Sequence, residues 1–134
     1  MAPKTNTAAL SLLAIFSSAL AAPSAVLNRR FELNCNDNGG YYRPIAEVQS
    51  CVTYLNSLGD QKCTVDDGNV SFCVSGDTNV SGSNIGSGST SSLCTDVAKA
   101  VQNIIDSCTS PEGYVGGAAA ASGNGDLIVN INAG

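Results

Sequence analysis

The sequence contains no histidine and no tryptophan, and only 13% of its 134 residues are charged. Without histidine there is no imidazole general base, no His-dependent triad, no proton switch near neutral pH and no His-ligated zinc site. Without tryptophan there is no indole platform for a sugar ring. Positive charge is scarce as well: six Lys and Arg stand against eleven Asp and Glu, giving a net charge of −5 and a pI near 4.3. Such a chain cannot neutralise a phosphate backbone, so no nucleic-acid partner is expected. There is no CxxC pair, no G-x-S-x-G elbow, no Walker loop and no dinucleotide fingerprint. From these gaps the sequence predicts no catalytic residues, no cofactor and no metal, and therefore a protein that is not an enzyme.

What is present begins with an address. Lys4 precedes an apolar stretch from Ala8 to Leu20, and Ala19-Leu20-Ala21 is a small-x-small cleavage site. This is the layout of a secretory signal peptide covering residues 1–21. The stretch is too short for a stable bilayer span, which takes about 20 apolar residues. No second long apolar run follows and Asn130 to Gly134 is polar, so no membrane anchor is expected. Arg29-Arg30 then stands just before Phe31, where a paired-basic endoprotease of the kexin type would cut. Residues 22–30 are accordingly read as a pro-segment and residues 31–134 as a single secreted, extracellular domain. That domain keeps only Arg43, Lys62 and Lys99 against all eleven acids, a net charge of −8. Such a charge favours solubility and weakens attraction to anionic membranes.

All six cysteines lie in that domain: Cys35, Cys51, Cys63, Cys73, Cys94 and Cys108. An even count in a short secreted chain predicts three disulfides, with fifteen possible connectivities. One pairing is removed by geometry. Cys94 and Cys108 fall on one predicted helix, fourteen residues apart, hence ~21 Å, while a disulfide needs Cα atoms within about 7 Å.

Periodicity supplies the elements. Pro44 opens a helix whose apolar stripe is Ile45, Val48, Cys51, Val52, Leu55 and Leu58, with Gly59 as its stop. A second helix carries Leu93, Val97, Ala98, Val101, Ile104, Ile105 and Cys108, with Ser91 or Ser92 as its expected cap, Asp96 in its first turn and Pro111 ending it. Val70, Phe72 and Val74 alternate with polar neighbours and predict a strand, with a turn at Gly76-Asp77 and a return strand over 78–85. A short first strand is expected within 31–42. The Ser/Gly-rich segment Ser81 to Ser92 reads as a mobile loop. At the C-terminal end, the alanine run, a turn at Ser122 to Gly125 and the strand containing Leu127, Val129 and Ile131 predict a hairpin. The fold class is α+β: a two-layer α/β sandwich with two helices packed on one face of a mainly antiparallel sheet, held by three disulfides.

Few residues suggest chemistry. Asp66-Asp67-Gly68 is the one local acidic cluster, but it lacks the alternating oxygens and distal Glu of a calcium loop and reads as a turn. Asn69-Val70-Ser71 and Asn79-Val80-Ser81 are N-glycosylation sequons, and the predicted loop setting favours Asn79. Tyr41, Tyr42, Tyr54 and Tyr114 are candidate surface aromatics, and Tyr41-Tyr42-Arg43 is the short patch most suited to contact with a partner.

The segments Leu93 to Ala98, Ile104 to Cys108, Gly113 to Gly117 and Gly123 to Val129 resemble small cysteine-rich secreted fungal proteins, effector-like and similar to the smut-virus killer toxins with an α/β-sandwich. The signal peptide and the dibasic site before Phe31 fit that group. The resemblance implies a scaffold and no catalytic residues. Its functional implication is a killer-toxin-like effector that works by binding a host or competitor protein or cell-surface component outside the cell. The alternatives are a secreted hydrolase, an enzyme inhibitor or a cell-wall structural protein. Hydrophobins, with eight cysteines in adjacent pairs, fit poorly.

Overall fold

Two apolar stripes at three- and four-residue spacing become the two helices of the computed structural model, which describes residues 31–35 and 42–134. Ala21, Arg29, Arg30 and Tyr41, which carry expected processing and contact roles, lie outside the described residues. Helix α1 spans Ile45–Ser57 and buries Val48, Cys51, Val52 and Leu55. Helix α2 spans Cys94–Cys108 and buries Val97, Ala98, Val101, Ile104 and Ile105 among others. Ile45, at the head of the first stripe, stays exposed.

Five strands form the main sheet, in the order β1 (Asn34–Cys35), β8 (Gly117–Ala121), β9 (Asn124–Ala133), β5 (Thr78–Asn84) and β4 (Asn69–Ser75). Every neighbouring pair is antiparallel. Two short ribbons complete the set: β2 (Arg43–Pro44) with β7 (Tyr114–Val115), and β3 (Lys62–Val65) with β6 (Thr90–Leu93). The helices pack on each other and on the sheet. Val80, Ala119, Leu127, Val129 and Ile131 from the strands close the core against them. The expected two-layer α+β arrangement is therefore the fold.

The order of elements has an internal two-fold pattern. β2-α1-β3-β4-β5 is followed by β6-α2-β7-β8-β9. The last strands of the two halves, β5 and β9, pair at the centre of the sheet, flanked by β4 and β8. Each ribbon joins one half to the other, β2 to β7 and β6 to β3. No local signal in the sequence marks this pattern.

Two expectations are corrected. Ser81 to Ser92 is not one loop: residues 81–84 belong to β5, the return strand expected over 78–85, and 90–92 to β6, leaving only 85–89 as a connection. Lateral side-chain hydrogen bonds make small polar residues serviceable in this strand. Ser83 donates to Asn69 Oδ1, Asn130 Nδ2 donates to Ser83 Oγ at 3.1 Å, and Asn132 Nδ2 donates to Ser81 Oγ at 3.2 Å. Gly82 also serves a purpose, because the Phe72 ring lies over it: a Cβ there would meet ring carbons at 2.4 and 2.6 Å. The second correction concerns capping. Neither Ser91 nor Ser92 caps α2, whose N-cap is Leu93. Both helices start directly out of a ribbon strand, and a carbonyl from elsewhere in the fold takes the first amide. Ile45 N–H donates to Gly113 O at 3.0 Å, and Cys94 N–H donates to Gln61 O at 2.9 Å. Orphan amides at a helix start need some acceptor, and backbone serves as well as a serine.

Candidate functional site

The six cysteines pair as Cys35–Cys108, Cys51–Cys73 and Cys63–Cys94, with Cα separations of 5.1, 5.8 and 5.1 Å. Cys51–Cys73 ties α1 to β4. The other two bridges hold the two ends of α2, to β3 and to β1, so Cys94 and Cys108 are each bonded elsewhere, as their placement on one helix requires. No free cysteine is left to act as a nucleophile among the described residues.

Two exposed tyrosines stand on or beside the ribbon β2–β7. Pro44 stands opposite Tyr114 in the ladder, and Tyr42 lies two residues before Pro44, on the same side of an extended chain. Ile45 follows as the first residue of α1. Tyr42, Ile45 and Tyr114 are 40%, 38% and 45% exposed. Tyr114 is held by the Ser110–Gly113 turn. Its N–H donates to Ser110 Oγ at 3.2 Å, and its carbonyl accepts from Ser110 N–H at 2.8 Å. Tyr42 and Tyr114 are seventy-two positions apart in sequence, and only the pairing of β2 with β7 brings the residue beside Tyr42 to one ribbon with Tyr114.

Arg43, named with Tyr42 as a contact residue, turns inward instead. Its Nε donates to Thr78 Oγ1 at 3.1 Å and its Nη2 to Glu47 Oε1 at 3.4 Å. Thr78, fully buried, also donates to Glu47 Oε1 at 2.7 Å. The Thr78 hydroxyl, then Arg43 and the Asp77 backbone amide, hold the Glu47 carboxyl below its ordinary range, against a smaller opposing effect of burial. This latch fastens β2 and α1 to the β4–β5 turn. That turn is a two-residue hairpin with Gly76 first, at φ +58°. A Cβ on Gly76 would come within 2.3 Å of the Glu47 carboxylate.

Both sequon asparagines are in strands. Asn69 begins β4 and is exposed. Asn79 lies inside β5, half-buried, opposite Val74 on one side and Asn132 on the other, with its Oδ1 accepting from Ser71 Oγ at 2.6 Å. The loop setting expected for Asn79 is therefore replaced by a central strand. Asp66, Asp67 and Gly68 form the turn between β3 and β4, where Ser89 Oγ donates to Asp66 at 2.9 Å. Among the described residues no group of three His, Cys, Asp or Glu is arranged to hold a metal, and no helix is long and apolar enough to cross a membrane.

A groove of about 390 Å³ runs between α1 and β4, lined by Ser50, Tyr54, Phe72, Cys73 and Val74. Tyr54 and Val74 are 49% and 64% exposed. Phe72 and Val74 belong to one strand by their alternation and Tyr54 to the aromatic surface; it is the Cys51–Cys73 bridge that brings them together.

A family model described as a domain of unknown function, DUF8794, matches residues 30–133. No curated protein and no solved structure matches the chain.

Proposed function

Since the chain belongs to the DUF8794 family, a domain of unknown function, we propose from its own chemistry that it is a secreted, killer-toxin-like effector that acts by binding in the extracellular space of a host or competitor. The observation that carries this reading is the complete pairing of six cysteines in a domain of about a hundred residues. Such bridges persist in oxidising compartments and are rare in the cytosol. They hold the scaffold while leaving aromatic side chains on its surface, and Tyr42, Ile45 and Tyr114 form the contact patch. The leader and the dibasic site before Phe31 support export and maturation.

Expression behind the native leader in a fungal host tests the first half. A product in the medium that starts at Phe31 and carries three disulfides is expected; an intracellular product with free thiols overturns the reading. The second half is tested by applying the oxidised product to leaf tissue and to competitor yeast and fungal cultures. Cell binding, necrosis or growth arrest is expected, and it weakens in a Tyr42→Ala/Tyr114→Ala double variant. Inert behaviour across the panel overturns the proposal.

A further inference from the structure

We propose that the groove between α1 and β4 binds an extended peptide segment of a partner protein, apolar at alternate positions and basic at its ends, as an added antiparallel strand on β4. This goes beyond the contact reading, since the groove is a surface separate from the Tyr42, Ile45 and Tyr114 patch.

The molecule itself carries the precedent. In the second half, β8 lies beside α2 and its outer edge is taken by β1, an antiparallel strand pairing Asn34 with Ala118 and Cys35 with Gly117. The internal two-fold pattern maps α2 onto α1 and β8 onto β4. β4 is the last strand on its side of the sheet, and nothing among the described residues takes the place that β1 takes on the other side. Beyond its ladder to β5, β4 makes no backbone–backbone hydrogen bond among the described residues. Its outer amides and carbonyls are thus a ready template, the feature used in strand-addition recognition.

Chemistry selects the occupant. β4 reads Asn69-Val70-Ser71-Phe72-Cys73-Val74-Ser75, with no charge and no proline. The groove beside it is likewise uncharged, with Tyr54 and Val74 exposed at its walls. Acidic residues stand at both ends of the strand, Asp66 and Asp67 in the turn before it and Asp77 in the turn after. An apolar strand capped by Lys or Arg matches that pattern, while a second copy of this acidic chain would bring Asp against Asp. β4 is only 7 residues long and a β-bulge between Ser71 and Cys73 interrupts its ladder to β5, so the added strand is short.

The test uses the oxidised secreted chain and a fluorescein-labelled heptapeptide, Lys-Val-Thr-Val-Thr-Val-Lys. Two controls accompany it: the same peptide with Glu at both ends, and one with proline at its centre. Saturable anisotropy is expected, with amide shifts and slowed exchange confined to 69–75 and the neighbouring face of α1. Tyr54→Ala and Val74→Lys, both at exposed positions, should each weaken binding tenfold or more. The Glu-ended peptide should bind at least tenfold more weakly, and the proline peptide should not bind. Three results would overturn the proposal: no binding at millimolar peptide, binding indifferent to both variants, or shifts located elsewhere. A dimer in sedimentation that Val74→Lys dissociates would also overturn it, in favour of a second copy at this edge. Failure here leaves export and the Tyr42–Tyr114 patch standing, since those are read by separate assays.

Discussion

Single residues carry more of this fold than their size suggests. Gly76 combines a left-handed backbone with a carboxylate 2.3 Å from where its Cβ would be. Gly76→Ala is therefore expected to cost about 1–3 kcal/mol through backbone strain and displacement of Glu47, read as a lower denaturant midpoint. Glu47 itself gives a pH signature. Its carboxyl is held below the ordinary range in the folded chain, so its contribution is present above the unfolded-state pKa. That contribution fades as pH falls through the lower folded-state value. Denaturation curves taken from neutral to strongly acidic pH should show this loss, and Glu47→Gln should flatten that part of the profile. Sequence groups Arg43 with Tyr41 and Tyr42 as a contact patch, while in the fold its guanidinium is a partner of this latch. The difference arises because Thr78, 35 positions away, is fully buried and its hydroxyl needs hydrogen-bond partners.

At the scale of elements, the bridges are ranked by the length of chain they close. Cys35–Cys108 spans 73 positions and Cys51–Cys73 spans 22. Loop entropy makes the longer closure worth about 1 kcal/mol more. Replacing Cys35 and Cys108 together by Ser should thus lower stability by more than replacing Cys51 and Cys73, in urea melts of the two double variants. The helices and the C-terminal hairpin were readable because apolar spacing and turn residues are local signals. β3, β6 and the start of α2 were not, and for β5 the return strand expected over 78–85 competed with a loop expected over 81–92. Their stability comes from partners far along the chain: the Asn130 and Asn132 amides for β5, the Gln61 carbonyl for α2, and Asn124, whose Nδ2 reaches Thr90 Oγ1, Ser91 O and Ser92 Oγ at 2.8, 3.0 and 3.2 Å for β6. The groove was illegible for the same reason, since the disulfide that sets Tyr54 beside Val74 cannot be chosen from fifteen connectivities by spacing alone.

For the molecule as a whole, the meeting of β5 and β9 at the sheet's centre predicts where it is hardest to open. Native-state hydrogen exchange should find the slowest amides in those strands and in the buried turns of α1 and α2, and fast exchange at 87–89, in the exposed connection 85–89. That exposed connection is also the boundary between the two halves. Cys63–Cys94 and Cys35–Cys108 both cross it, and each ribbon is made of one strand from either side. A protease that severs the backbone there would separate nothing: the clipped product should migrate intact on a non-reducing gel, gain the mass of one water, and fall into two fragments only when a thiol is added. Outside a cell, where such enzymes abound, a protein built this way can be cut once and stay in one piece.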